Sequence, residues 1–392
     1  MFGNFALAIT AYVYLSLVHP LRIALRGKLL LLAFLLLSAG RLAILRRAFG
    51  GLGGVEAPWL LLIVTSLFQG TAVLLFLLCI PKDLLRLAAL APALFRKKEA
   101  GRRLRSFLSS GAFAMGLAAG ALALSGLALY QAAKVPETRE RVVYLRGWPA
   151  ALDGLRIAVV SDLHLCRFFG RAWAEALVER VNSLKPELIL IPGDLVDGEA
   201  SLRGPETEPL SRLESAYGTF VSVGNHEYIS VVWDWLPAFR RLGLRTLYNS
   251  HEAVAVRGTE LVLAGVTDPA SDRWGLPGPD LQRALRGVPR DGPPVILLDH
   301  RPGHAPANAG DGRVRLQLSG HTHGGLIPGL AFFVARANGG YLKGWHEVGP
   351  LMMYVHPGSG LWSGLPMRLM NPSEITLMTV RSSPARAEAG RD

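Results

Sequence analysis

Five short stretches carry side chains that can hold a cation. They are Ser161-Asp162-Leu163-His164, Gly193-Asp194-Leu195-Val196-Asp197, Gly224-Asn225-His226-Glu227, Asp299-His300-Arg301-Pro302 and Gly320-His321-Thr322-His323-Gly324-Gly325. Each follows an apolar, strand-like run, so each sets a carboxylate, amide or imidazole where a strand meets a loop. In α/β sheets the carboxyl ends of strands are where ligands bind. The fifth stretch organises the others. Val314, Leu316 and Leu318 alternate into a small-residue turn that carries two imidazoles. Histidines two apart on a regular strand would point the same way. On a turn they can fan around a metal centre, and Gly320, Gly324 and Gly325 let the backbone take positive φ or approach closely.

Two divalent ions roughly 3.5–4 Å apart can polarise a phosphoryl group and hold a hydroxide nucleophile together. Such a site needs one carboxylate that bridges both ions, and Asp194 is the natural candidate. It also needs neutral imidazoles and few further carboxylates, so that it stays cationic enough to attract phosphate. Asp162, His164, Asp194, Asn225, His300, His321 and His323 supply that set, with His226 left as a proton donor. Mixed nitrogen and oxygen donors suit Mn, Fe or Zn better than Ca or Mg. Asp-x-His or a lone His is a chance match on its own. Five such stretches in order, each after a strand, are specific. Asp197 reads as a turn or supporting residue rather than a ligand. His251, His304, His346 and His356 fall outside the set, with His356 a candidate for the pocket wall. For Arg273 and Arg301 two readings stay open, a clamp on substrate phosphate or a surface position.

In this order the stretches resemble the calcineurin-like metallophosphoesterases, whose pattern is Asp-x-His, Gly-Asp-x-x-Asp, Gly-Asn-His-Glu/Asp, a lone His and Gly-His-x-His. The resemblance covers about residues 155–380. The segments LILIPGDLVDG, LAGVTDP, LQLSGHTHGG and GLWSGLPMRL are most similar to the membrane-anchored bacterial branch. It implies a four-layer α-β-β-α sandwich and two divalent metals. The first metal is implied to take Asp162, His164, Asp194 and His323; the second, Asp194, Asn225, His300 and His321. His226 is implied to stabilise the transition state or protonate the leaving oxygen, while a hydroxide shared by the metals attacks phosphorus in line. Cys166 stands where the family commonly has glycine, and Asp299 where a small residue is usual. Neither removes a ligand; Asp299 either orients His300 or faces away.

The elements that must position these residues are strands at 155–161, 188–192, 219–223, 260–266, 295–299, 314–319, 352–356 and 374–380. Helices are expected at 170–184, 231–242 and 279–285. The alternation at the start predicts a parallel βαβ core. The later strands, which follow one another without helices, predict a second, mixed sheet. Residues 152–381 therefore form the phosphoesterase domain. Residues 136–151 read as a polar linker with an edge strand at 142–145, and 382–392 as a disordered tail.

The first 135 residues are of another kind. Mean hydropathy of the whole chain is +0.30, and apolar runs at 57–80 and 107–133 are long enough to cross a membrane. A third span is expected at 2–21. A fourth, at 29–45, is interrupted by Gly40 and Arg41, so four spans are expected with three as the alternative. The net charge of +12 lies wholly here, since residues 1–135 hold 15 Lys/Arg and 3 Asp/Glu while 136–392 hold 27 of each. That distribution marks topology rather than a nucleic-acid footprint. The basic loop between the clear spans, with Lys82, Arg86, Arg96, Lys97, Lys98, Arg102, Arg103 and Arg105, is expected in the cytoplasm. Everything after residue 133 is then extracytoplasmic. Within the loop, 84–95 reads as an interfacial helix or a solvated linker. Arg102-Arg103 ahead of Phe107-Leu108 is similar to a twin-arginine export signal with one extra residue in its spacing. Two cysteines, Cys79 and Cys166, give no disulfide framework.

The expectation is thus a membrane-anchored phosphoesterase of the cell envelope, cleaving phosphodiesters or pyrophosphates that include lipid-linked molecules, with the bilayer and no nucleic acid as partner. Two competing readings are a membrane assembly or lipid-sensing module with a vestigial catalytic domain, and a nuclease.

Overall fold

The computed structural model describes residues 2–50, 54–90 and 98–383. It divides into two compact units. Met1–Gly50, Val55–Ala132 and Gly364–Met367 form the first, and Gly51–Gly54, Ala133–Ser363 and Arg368–Asp392 the second.

The first unit is helical. Trp59–Ala88 and Gly111–Ala133 are long and apolar enough to cross a membrane. The stretch expected at 29–45 is two helices, Leu25–Ala39 and Arg41–Phe49, bent by 68°. Arg41 explains the break. Its side chain is buried, with Nε donating to Thr65 Oγ1 at 2.9 Å and Nη1 to Gln69 Oε1 at 3.2 Å. A guanidinium among apolar helices needs such polar partners. At the start, Phe2–Val13 runs into a π-helical turn, Tyr14–Val18, and its apolar part, Ala6–Val18, is short for a span. By length and composition the described residues thus hold two spanning helices, or three with the bent pair taken as one; four were expected, with three as the alternative. Residues 84–88 continue the Trp59–Ala88 helix rather than begin an interfacial one, and residues 91–97 lie outside the described residues.

The second unit is built on twelve strands: β1 (Glu137–Leu145), β2 (Leu155–Val159), β3 (Leu188–Pro192), β4 (Thr219–Ser222), β5 (Arg245–Thr246), β6 (Ser250–Val256), β7 (Thr259–Gly265), β8 (Val295–Leu298), β9 (Val314–Ser319), β10 (Gly344–Val348), β11 (Leu351–Val355) and β12 (Glu374–Ser382). They form two mixed sheets, in the orders β1-β12-β2-β3-β4-β5 and β10-β11-β9-β8-β7-β6. In the first, β2 to β5 are parallel, and β12 runs antiparallel to β2. In the second, β7, β8, β9 and β11 are parallel, with β6 and β10 as antiparallel edges.

Alternation builds the layers. Leu188 and Leu190 of β3, Ile157 and Val159 of β2, Leu263 of β7, Ile296 of β8 and Leu316 and Leu318 of β9 share one buried cluster between the sheets. The opposite face of the second sheet, with Val262, Leu297 and Val314, packs on short helices through Ala284 and Ala305. The Arg171–Ser183 helix joins β2 to β3 and buries Ala174, Leu177, Val178 and Val181. This is the α-β-β-α order expected of the α/β phosphoesterase domain, and the chain also holds an apolar helical region.

The structure adds strands that sequence reading missed. β6 pairs with β7 around the two-residue turn Arg257-Gly258, both at positive φ, and β10 pairs with β11 around Gly349-Pro350. Both are hairpins with short turns, a signal present in the sequence. The edge strand expected at 142–145 is the second half of a longer one, β1, which begins at Glu137 and whose partner β12 extends to Ser382. The tail from 384 lies outside the described residues.

Leu263→Ala should cost about 2–5 kcal/mol of stability, because it empties the centre of the inter-sheet cluster. Val142→Ala, on the exposed side of β1, should stay within about 0.5 kcal/mol. Urea melts of the detergent-solubilised chain, followed by near-UV circular dichroism, compare the two.

Candidate metal centre

Parallel strands point their carboxyl ends to one edge, and each sheet sends its chemistry-bearing loops there. The loops are stitched together by backbone hydrogen bonds beyond the strands. Asp162 N donates to Gly193 O at 3.1 Å, His164 N to Asp194 O at 3.1 Å and Leu165 N to Leu195 O at 2.9 Å. In the second sheet Gly320 N donates to His300 O at 3.1 Å. His300 Nδ1 donates to Pro192 O at 2.8 Å, which ties the end of β8 to the end of β3.

All seven candidate donors and His226 arrive at this edge. Asp162, His164 and His323 form one group whose donor atoms lie within 4.8 Å of one another; Asp194, His300 and His321 form another; His164, Asp194 and His226 form a third. Asp194 lies between them, its Oδ2 3.7 Å from His164 Nε2 and 3.2 Å from His300 Nε2. Asn225 Oδ1 and His321 Nε2 are both reached by the Arg301 guanidinium, at 3.3 and 2.7 Å. The two imidazoles of the His-Thr-His turn thus fan into different groups.

The donor set fits cations. His164 Nε2 and His300 Nε2 are buried without a hydrogen-bond partner, a state that costs free energy unless something accepts their lone pairs. Each lies about one ligand–ligand span from Asp194, as two donors roughly 2.1 Å from a shared ion would. Burial, then the charges of His300 and Arg301, push His321 well below the usual imidazole range; burial and His164 do the same to His323. Both are therefore neutral. Burial would raise Asp194, but His300, His226 and His164 outweigh it and hold the carboxylate ionised.

The backbone is strained here. Asp162, His164, Asp194, His321 and His323 all have φ between 46° and 69°. Left-handed non-glycine residues are uncommon and concentrate at functional sites. Of the two roles expected of Gly320, the structure shows close approach, because a Cβ there would lie 2.3 Å from Asp162 Oδ2 and Ser161 Oγ. A Cβ on Gly224 would lie 2.2 Å from Asp194 Oδ1.

Supporting residues decide the orientation. Asp197 Oδ1 accepts from His164 Nδ1 at 3.1 Å and also from His226 Nδ1. One buried carboxylate therefore sets the tautomer of a candidate ligand and of the candidate proton donor. Burial would raise Asp197, but the two imidazoles hold it at about 2. Burial would lower His226, yet Asp197 and Asp194 push it up to about 9, so it carries a proton at neutral pH. Glu227 accepts from Asp194 N, Leu195 N, Val196 N and Gly224 N at 2.7–3.3 Å, which fixes the Gly-Asp loop against the Gly-Asn-His-Glu turn.

Sequence reading named Glu227 only as part of its motif, without a role, and did not single out Asp268 or Arg368. Buried Asp268 holds Arg301 through two bonds, at 2.7 and 3.2 Å. Buried Arg368 donates to the carbonyls of His323, Pro357, Gly358, Gly360 and Asn371. A polar side chain three to five loops away has no periodic signature, so only the fold reveals it. Asp299 faces away from His300 and holds His304 and Asn308 instead. Arg273 is exposed. His356 is buried outside the ligand groups, its Nδ1 accepting from Gly358 N. Cys166 is buried, which pushes its thiol up to about 12.

Comparison with known proteins agrees with this geometry. Residues 155–325 match the calcineurin-like phosphoesterase profile. A Danio rerio protein named as a transmembrane protein with metallophosphoesterase domain is 33% identical over 340 residues, covering 84% of this chain and 75% of that one. This chain belongs to the calcineurin-like metallophosphoesterases. Its class is therefore that of metal-dependent phosphoric ester hydrolases. The Bos taurus protein of the same name is 34% identical, over 67% of this chain and 61% of its own length. An uncharacterised metallophosphoesterase of Bacillus subtilis is 31% identical over 68% of this chain and 94% of its own. Among solved structures, a 5'-nucleotidase precursor of Thermus thermophilus is similar at a TM-score of 0.37 and 17% identity, covering 57% of this chain and 54% of that one.

Asp197→Asn should lower metal occupancy and turnover by about 10- to 100-fold, as loss of a partner behind a ligating histidine does. Metal content by mass spectrometry and steady-state rates check it.

Proposed function

We propose that this chain hydrolyses phosphodiesters or pyrophosphates, with two divalent ions of Mn, Fe or Zn held by Asp162, His164, Asp194, Asn225, His300, His321 and His323, and Asp194 shared between them. The observation that carries the reading is the convergence of these seven side chains from five distant loops, with Asp194 Oδ2 3.2 Å from His300 Nε2 and 3.7 Å from His164 Nε2. When bound, such ions polarise a phosphoryl oxygen and make water a nucleophile at neutral pH. The chain's own residues supply the rest. His226, protonated against Asp197, would deliver its proton to the leaving oxygen from the open side of the site. Arg301, braced on Asp268 and directed at Asn225 and His321, would bind a non-bridging phosphoryl oxygen through its one remaining N–H, on Nη1.

We place the substrate in the cell envelope, lipid-linked molecules included, and the catalytic unit on the extracytoplasmic side. The apolar helices, the naming of relatives as transmembrane proteins and the basic loop at 82–105 support that reading.

Purified full-length protein should take up two equivalents of Mn²⁺ and cleave an aryl phosphodiester or a pyrophosphate. Asp194→Asn should lose more than about 100-fold in kcat/KM, beyond the upper end of what outer partners cost. A protein loaded with two ions that left both substrate types intact would overturn the proposal. Arg301→Ala should raise KM more than it lowers kcat and leave the metal stoichiometry unchanged; loss of metal would show that the arginine orders the site instead.

A further inference from the structure

The helix Ala331–Ala337 buries none of its residues. Its two phenylalanines, Phe332 and Phe333, are 69% and 66% exposed and lie edge to face on each other. Apolar side chains held outward in this way mark a surface that something covers. Met370, 85% exposed, belongs to the same patch, since Leu369 N donates to Leu326 O at 3.1 Å and brings the two loops together. The patch adjoins the metal centre. A Cβ on Gly325, two residues after His323, would lie 2.7 Å from Ala331 Cα.

Two further observations say what covers it. The first is charge. Residues 326–346 contain Arg336 and Lys343 and no Asp or Glu, and residues 364–371 contain Arg368 and no acid. Arg336 and Lys343 are exposed, while Arg368 is buried. An apolar tip with two exposed cations on its own segment suits anionic headgroups over acyl chains. The second is register. Glu137 of β1 pairs with Glu374 of β12, and Val159 of β2 pairs with Thr376 two residues further on. The start of β1 therefore lies at the end of the sheet where β2 runs out into Asp162. Residues 134–136 join it to Gly111–Ala133, an apolar helix long enough to cross a membrane. The chain enters the catalytic unit at its metal-centre edge, the edge that also carries the phenylalanines.

We propose that Phe332, Phe333 and Met370, flanked by Arg336 and Lys343, insert into the headgroup–acyl boundary of an anionic bilayer beside the metal centre. The patch is then an interfacial anchor additional to the helical unit. It sets the centre against the membrane surface, where a phosphate group at headgroup depth is presented. This inference stands apart from the hydrolytic one, because the position of the patch can be read without turnover.

The test uses the full-length chain in vesicles of phosphatidylcholine and phosphatidylglycerol, with a nitroxide on Phe333→Cys. Both native cysteines are buried. Electron paramagnetic resonance power saturation compares collision with oxygen, enriched in acyl chains, against a water-soluble nickel chelate. The oxygen-to-nickel ratio at 333 is expected to exceed by several-fold that of a label on Leu202→Cys, an exposed position in the same unit. A label on Met370→Cys should behave as at 333, which guards against a local effect of one substitution. Equal ratios at 333 and 202 would overturn the proposal. So would spin–spin broadening at 333 that vanishes on dilution with unlabelled protein, because the patch would then cover a second copy of the chain.

Discussion

Two carboxylates, Asp162 and Asp194, are held with almost no exposure at the ends of neighbouring parallel strands. Taking charges out of water costs several kcal/mol each unless hydrogen bonds or opposite charges replace the lost solvation. Much of the catalytic unit can be understood as that replacement. Asp162 accepts from His321 N and Ser161 Oγ, and Asp194 from His226 N. The imidazoles around them supply the remaining positive charge, whether as protons or as cations bound in their place. Buried carboxylates set among imidazoles in this way make a candidate cation site.

Holding so many polar groups together demands backbone shapes that regular structure does not offer. Five of the ligand candidates occupy left-handed conformations, and glycines stand where a Cβ would strike a carboxylate. Such strain persists only where surroundings over-determine it. Here the bonds between loops do so: the ladder from 162 to 165 against 193 to 197, the Glu227 carboxylate across two loops, and the Arg368 guanidinium across two. The two-sheet core beneath, apolar on both faces of its central strands, is the rigid base from which these loops spring.

Much of this was legible in the sequence. The ligand types, their order and their places after strands were readable because coordination chemistry restricts the residue types, and because buried strands announce themselves as β-branched and leucine runs. The parallel start and the mixed second sheet followed from where helices intervene. Less legible were β6 and β10, whose partly exposed residues dilute the alternation, and the first half of β1, whose polar residues read as a linker. The helical unit shows the same limit. Apolar length identified Trp59–Ala88, yet the 68° bend at Gly40 depends on where Arg41 finds Thr65 and Gln69.

Composition along the chain offered the chemistry as candidates: which atoms could bind a cation, and which one could bridge. Those are properties of residue types and survive without a fold. What the tertiary structure alone decided is which neighbours each atom meets. That Asp197 serves two histidines, that Asp299 turns away from His300, that Asp268 braces Arg301, and that the exposed Phe332 and Phe333 stand near the centre all follow from contacts across long separations. They depend on strand register and loop direction, and a one-dimensional pattern carries no record of either.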